Sequence, residues 1–183
     1  FLEKALKEFV DHGYANASTT RIVEATGMAR GSLYYHFGDK KGLFVEVYRD
    51  VLKTMAKAVD RETKKHKDPW LAIRAGADKL IRLCANRRTR RLIIEAYSSM
   101  HYEERMVILN ETLLGMLVEL MKELHEIGYF QDLDLRITTI LLYGMISEAG
   151  RSFEILGDSP EVVEEVVRHS LLAMDRLGNK GNG

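Results

Sequence analysis

Cysteine is nearly missing from this chain: Cys84 is the single thiol in 183 residues. An intramolecular disulfide framework is therefore excluded, and a reducing, cytoplasmic setting is expected. Proline is scarce as well, with 2 residues, and the formal net charge is zero. No apolar run reaches the roughly 20 residues of a membrane span, so no membrane partner is expected. The motifs that carry most catalysis are absent too. There is no G-x-S-x-G elbow, no G-x-x-x-x-G-K-[ST] phosphate loop, no H-E-x-x-H pair and no glycine-rich dinucleotide turn. The six histidines are scattered, and His101 with Glu103 and Glu104 cannot converge on a metal from consecutive helical positions. Neither an enzyme, nor a metal, nor a cofactor is expected.

The composition that remains, 46% hydrophobic and 30% charged, describes one soluble domain, or a small module sharing its core with a larger one. The zero net charge conceals an asymmetry. Residues 1–49 carry 7 basic and 6 acidic side chains, residues 50–101 carry 13 and 6, and residues 102–183 carry 7 and 15. Nucleic-acid affinity depends on local cations that displace counterions, so a neutral protein can bind DNA if its acidic end points away.

The stretch from Ser18 to Lys40 organises the chain. Ser18 can cap a short helix over Thr19–Thr26 that turns Ile22, Val23 and Ala25 to one side. Gly27 stops it, Met28 plugs the turn, and a second helix opens near Ala29. Two helices and a glycine turn of this length make a helix-turn-helix. In the second helix Leu33 and Phe37 share a buried face, which leaves a polar reading face. Arg30 lies at its start, where such helices meet base edges, and its planar fork suits guanine O6 and N7. Ser32, Tyr34 and Lys40 are of the types that hold phosphate oxygens. Gly31 permits close approach, and His36 at the helix end can touch phosphate.

These residues carry a family resemblance. Gly13-Tyr14, Ser18-Thr19, Ile22, Gly27, Gly31-Ser32-Leu33-Tyr34-Tyr35-His36-Phe37 and Lys40 resemble the N-terminal domain of the tetracycline-repressor (TetR) family. The match covers about a quarter of the chain; beyond it the likeness is one of length and helical character. It implies DNA contacts from Ser18, Thr19, Thr20, Ala29, Arg30, Gly31, Ser32, Tyr34, Tyr35, His36 and Lys40.

The rest reads as helices in succession, giving an all-α chain of about nine. Phe1 to His12 forms the first, stopped by Gly13. A connector runs from about Lys40 to Lys65, long enough at 1.5 Å per residue to join a DNA-binding head to a separate body. Others follow over Pro69–Ala85, Asn86–Met100, Tyr102–Ile127, Asp134–Leu156 and about 160–177. The domains expected are a head over 1–46, a ligand-binding and dimerisation body over 47–178, and a disordered tail over 179–183. Arg87, Arg88, Arg90 and Arg91 either flank the head or form a charged collar on a surface helix. The apolar residues of 134–156 go all round, which suits, with 160–177, a four-helix bundle made with a second copy. Small residues at Gly144, Ser147, Ala149 and Gly150 would admit a neighbouring helix.

The resemblance implies a homodimeric repressor that binds a near-palindromic double-stranded operator and is released by a small apolar or amphipathic inducer. Candidate pocket residues are Trp70, Ile73, Leu83, Ile94, Tyr97, Met100, Tyr102, Met106, Leu113, Tyr143 and Met145, chosen because aromatic and Met side chains line adaptable apolar pockets. Glu95 and Glu148 would select a cation if buried, or else pair with Arg91 and Arg151. The alternative function is a helical ligand-binding or adaptor protein of the same fold without sequence-specific DNA binding.

Overall fold

Helix boundaries fall where the chain supplies caps. In the computed structural model, which describes residues 1–178, Asp39 accepts from the Gly42 N–H at 2.7 Å and Asp134 from the Arg136 N–H at 2.9 Å. Asp68 accepts from the Trp70 and Leu71 N–H groups, with Pro69 in the first turn where no amide is needed. Each such cap contributes about 1 kcal/mol. The segments are α1 Leu2–Asn16, α2 Thr19–Thr26, α3 Arg30–Phe37, α4 Lys40–Thr63, α5 Pro69–Ala85, α6 Arg87–Ser99, α7 Tyr102–Asn110, α8 Leu113–Glu126, α9 Leu135–Arg151, α10 Phe153–Leu156 and α11 Pro160–Leu177. The fold is all-α, as expected.

Among the described residues, eleven segments replace the nine expected because two long helices are broken. The one expected over 102–127 is interrupted at Thr112, whose backbone leaves the helical region at φ −132°, ψ −110° and whose buried hydroxyl donates to the Ile108 carbonyl at 2.6 Å. Leu109 and Leu113 are buried on either side, so the apolar stripe runs on across the break and hides it from periodicity. The helix expected over 134–156 ends at Arg151, and a single turn, α10, closes at Gly157. Gly13 kinks the first helix rather than ending it: at φ 72° it reorients the last turn, which runs on to Asn16.

Two clusters of apolar side chains fill the interior. The first runs from Ala5 and Phe9 of α1 through Leu33 and the buried face of α4 to Leu92 of α6 and Ile108 of α7. The second joins α5, α8, α9 and α11 through Ile81, Met121, Ile146 and Met174. Head and body thus share a core along α4. The tail expected over 179–183 lies outside the described residues. Gly178, just before it, is buried against the Trp70 ring, where a Cβ would come within 2.1 Å of the indole.

Candidate nucleic-acid interface and interior cavity

The geometry of α3 follows from its two buried anchors. Leu33 is fully buried and Phe37 half-buried, with the Phe1 ring stacked on Phe37 at 5.3 Å. Phe9, Tyr14 and Phe44 form a ring cluster beneath, each of the first two 5.0 Å from Phe44. Gly42 lets α4 start directly against α3, since a Cβ there would lie 2.0 Å from the Phe37 carbonyl oxygen. Gly27 makes the intervening turn in the left-handed region, and Ser18 caps α2 by accepting from the Arg21 N–H at 3.3 Å. The α2–α3 angle is therefore fixed from both ends.

What this leaves outside is a contiguous set. Ala29, Arg30, Gly31, Tyr34, Tyr35 and His36 are exposed, Ser32 is half-buried, and Tyr35 is 86% exposed. From α2, Thr20 is exposed while Ser18 and Thr19 are half-buried. Thr19, Arg30 and Tyr34 meet: the Thr19 and Tyr34 hydroxyls are 3.3 Å apart and the Arg30 guanidinium lies 5.9 Å from the Tyr34 ring. Hydrogen bonds from Thr19 and Arg30 hold the Tyr34 phenol below its ordinary pKa. Ala25 is exposed rather than turned inward with Ile22.

Lys40 is placed differently from its neighbours. Its ammonium donates to the Ala15 carbonyl at 3.0 Å and the Ala17 carbonyl at 3.4 Å and lies 5.0 Å from the Tyr14 ring. It ties the end of α1 to the start of α4, a contact across 25 residues that no local pattern encodes.

The body encloses two narrow cavities. One, about 30 Å³, lies among α4, α5, α6 and α9; the other, about 40 Å³, lies among α4, α5, α8 and α9, and both are bordered by Leu80, Leu113 and Tyr143. Each has room for a water or two, far below the 300–1,000 Å³ of a drug-sized site. Of the sequence candidates, Tyr97, Leu113 and Tyr143 border the first cavity, Ile73, Leu113 and Tyr143 the second, and Trp70 a surface groove beside Leu133 and Ile137. Leu83, Ile94, Met100, Met106 and Met145 border neither cavity, and Tyr102 is 63% exposed. The reason is direction. On α6 the cavity takes Arg90, Ile93 and Tyr97, spaced three and four apart, and Ile94 is turned about 100° away. The same rule selects Tyr48, Leu52 and Met55 on α4, Leu80 and Cys84 on α5, and Tyr143, Ser147 and Arg151 on α9.

The charged candidates also settle. Arg90 is buried, not part of a solvated collar. Its guanidinium donates to the Ala85 carbonyl at 2.9 Å, to Glu154 at 3.1 Å and to Asp158 at 3.0 Å, tying α6 to the α10–α11 corner. Arg88 instead reaches Glu3 of α1 at 3.6 Å. Glu95 accepts from the Tyr14 N–H at 3.1 Å rather than pairing with Arg91, so it links α6 to the kink of α1. Glu148 does pair with Arg151, at the protein surface. Neither carboxylate borders the first cavity, whose charged lining is Arg90 and Arg151. Among the described residues, the Arg151 Nε–H is the one buried side-chain polar atom without a hydrogen-bond partner. Burial pushes the Cys84 thiol up to about 12, Arg90 opposing only in part, and the Tyr143 phenol also to about 12. Both are neutral at physiological pH.

Residues 1–47 match the model of bacterial regulatory proteins, tetR family. The family likeness by sequence model is that of these 47 residues. Curated relatives are similar over a longer stretch: the HTH-type transcriptional repressor AcnR of Corynebacterium efficiens is 37% identical over 91 residues, 44% of this chain and 48% of AcnR. The chain thus spans about half the length of the curated relatives it matches. Over nearly the whole chain the fold is that of solved TetR-family regulators. The protein ECA1819 from Pectobacterium atrosepticum superposes with a TM-score of 0.78 at 22% identity, over 98% of this chain and 92% of that one. PfmR from Thermus thermophilus gives 0.70 at 25% identity over 96% of each.

Proposed function

We propose that this chain is a TetR-type, DNA-binding transcriptional repressor that acts as a homodimer and responds to a small molecule in its body. The observation that carries the reading is the α3 surface: Arg30, Tyr34, Tyr35 and His36 project from a helix whose other side is locked by Leu33. In helix-turn-helix docking that surface enters the major groove, with Arg30 toward base edges and hydroxyls toward phosphate.

Dimerisation is supported by α9 and α11. Ile137, Ile140, Leu141 and Gly144 fall at i, i+3, i+4 and i+7 on α9 and are all exposed, the three large side chains by 59–67%. Leu172 of α11 is exposed too. A row of large aliphatics in water is the mark of a surface covered by another molecule, and a two-fold related copy makes the four-helix bundle. Gly150 has a different role from Gly144: its Cα sits against Cys84 of α5 in the same chain.

The body can reach the head by two routes. The first cavity is bordered by α4, which continues into the head, and by α6, which holds Tyr14 through Glu95 and the α10–α11 corner through Arg90. A ligand larger than the cavity must displace one of these helices. Operator affinity then falls by the difference in ligand affinity between the two conformations.

Selection of bound sequences from a random double-stranded library tests the reading. An inverted repeat with half-sites about one helical turn, 34–36 Å, apart is expected. Recovery of DNA with no common sequence refutes it.

A further inference from the structure

We infer that the ligand of the first cavity is an elongated amphipathic carboxylate, its head at Arg151 and its apolar tail directed past Tyr143 toward the second cavity. The inference rests on the ligand-responsive reading above and adds its chemistry.

Charge comes first. The cavity borders on no acidic side chain, while two arginines, Arg90 and Arg151, line it. Arg90 is saturated by two carboxylates and the Cys84 and Ala85 carbonyls. Arg151 is not: its Nε–H is buried with no acceptor. A buried N–H of a cation is costly to leave unpaired, and an incoming carboxylate removes that cost with a charge-assisted bond. The pair that Arg151 makes with Glu148 competes weakly, because Glu148 is 64% exposed. The guanidinium is held in place by the Tyr97 ring, 4.6 Å away, whose other cationic neighbour Arg105 lies 4.4 Å from it. Tyr97 is 42% exposed, so this end of the cavity is the one near solvent.

Shape comes second. Away from Arg151 the lining turns apolar, through Leu52, Met55 and Leu109, and beyond Leu80, Leu113 and Tyr143 the second cavity continues between Ile73, Leu117 and Ile146. Two narrow cavities sharing one wall join into a slot when that wall moves, and a slot accepts a chain rather than a fused-ring body. The phenols at Tyr48 and Tyr143 are both raised by burial, hence neutral, and repel no anion.

Calorimetric titration of the DNA-free chain with octanoic, decanoic and dodecanoic acids, dodecan-1-ol and dodecylammonium tests this. The acids should bind one per chain, tightening by about fourfold per added methylene. Dodecan-1-ol should bind about tenfold more weakly, and the ammonium more weakly still. Arg151→Gln should weaken dodecanoic acid to the level of the alcohol and leave the alcohol unchanged, which separates a lost head contact from a damaged fold. Equal binding of acid and alcohol by the parent, affinity indifferent to chain length, or full acid affinity in Arg151→Gln would overturn the inference. Adding operator DNA separates the two readings. Acid that binds without releasing the operator contradicts the inducer role and upholds the ligand class; release by the alcohol or ammonium alone overturns the ligand class and upholds the regulator.

Discussion

Glu8 shows how one carboxylate fixes the start of α2. It lies on α1 with its side chain 11% exposed, accepts from the Ser18 N–H at 2.9 Å and from Arg21 Nε at 2.8 Å, and has His12 at 3.6 Å. Ser18 is the N-cap of α2, so Glu8 fixes the residue from which α2 starts. Glu8→Ala leaves a half-buried backbone N–H without its acceptor, about 1–2 kcal/mol. The Arg21 contact adds no more than about 1 kcal/mol, because that side chain is 49% exposed. The sum, about 1–3 kcal/mol, lowers the midpoint of thermal unfolding by roughly 2–12 °C for a chain of this size. Glu8→Gln keeps an acceptor for Ser18 and should lose about half as much.

The pH dependence has a definite sign. Burial pushes the Glu8 carboxyl up, but hydrogen bonds from Arg21 and the Ser18 N–H, with the charges of His12 and Arg21, more than offset it, and the group is held below its ordinary value of 4.5. A folded pKa below the unfolded one adds stability that is complete above about 4.5 and is lost as pH falls through the folded value. The gap in melting temperature between the parent and Glu8→Gln should therefore be full at pH 7 and shrink below about pH 4.5, as read by circular dichroism at 222 nm. At about 20 °C, well below either midpoint, Glu8→Ala should hold its operator within a few-fold of the parent. A variant that melts with the parent at pH 7, or a gap that does not change with pH, refutes the reasoning.

Other substitutions probe the remaining joints. Lys40→Ala frees the carbonyls of Ala15 and Ala17 and should cost about 1 kcal/mol; with its ammonium already engaged, the slope of log affinity against log salt should change by less than the one unit expected of a full phosphate contact, measured by fluorescence anisotropy. Arg90→Ala exposes no new charge to the core, since Glu154 and Asp158 are 62% and 45% solvent-accessible, but strands two carbonyls. A loss of about 2–3 kcal/mol is expected by urea titration, and Arg90→Lys should recover less than half, because one ammonium cannot span four acceptors. Ile140→Asp places a charge in the exposed α9 row; sedimentation velocity should show a dimer for the parent and a monomer for the variant, with the melting temperature of the monomer fold little changed.

The head was legible because its signals are local. Ser18, Gly27 and Asp39 act within one turn of their own position, and all three cap or close helices where the sequence puts them. Leu33 was legible as an anchor for the same reason, its burial following from helical spacing. The body was less so. Thr112 breaks a helix without interrupting its apolar stripe, so a reading by periodicity passes over it. Of the candidates chosen by residue type, Tyr97, Leu113 and Tyr143 border the first cavity, whereas Tyr48, Ile93 and Arg151, which border it too, are not among them because that depends on which way converging helices face. A short window pairs Glu95 with Arg91 and reads Arg90 as one of a charged collar; the partners they have in the fold lie 81 and 64 residues away. Contacts of that span are set by packing, and no short window contains them.

The most direct test of the account compares the parent with an Arg30→Ala, Tyr34→Ala double variant on the selected inverted repeat and on a scrambled duplex, at two salt concentrations. The parent should prefer the repeat, one dimer to each pair of half-sites, and the double variant should bind both duplexes alike with similar melting temperature. Equal preference for the repeat by both proteins would mean that the exposed face of α3 does not read the sequence, and the account would fail at its centre.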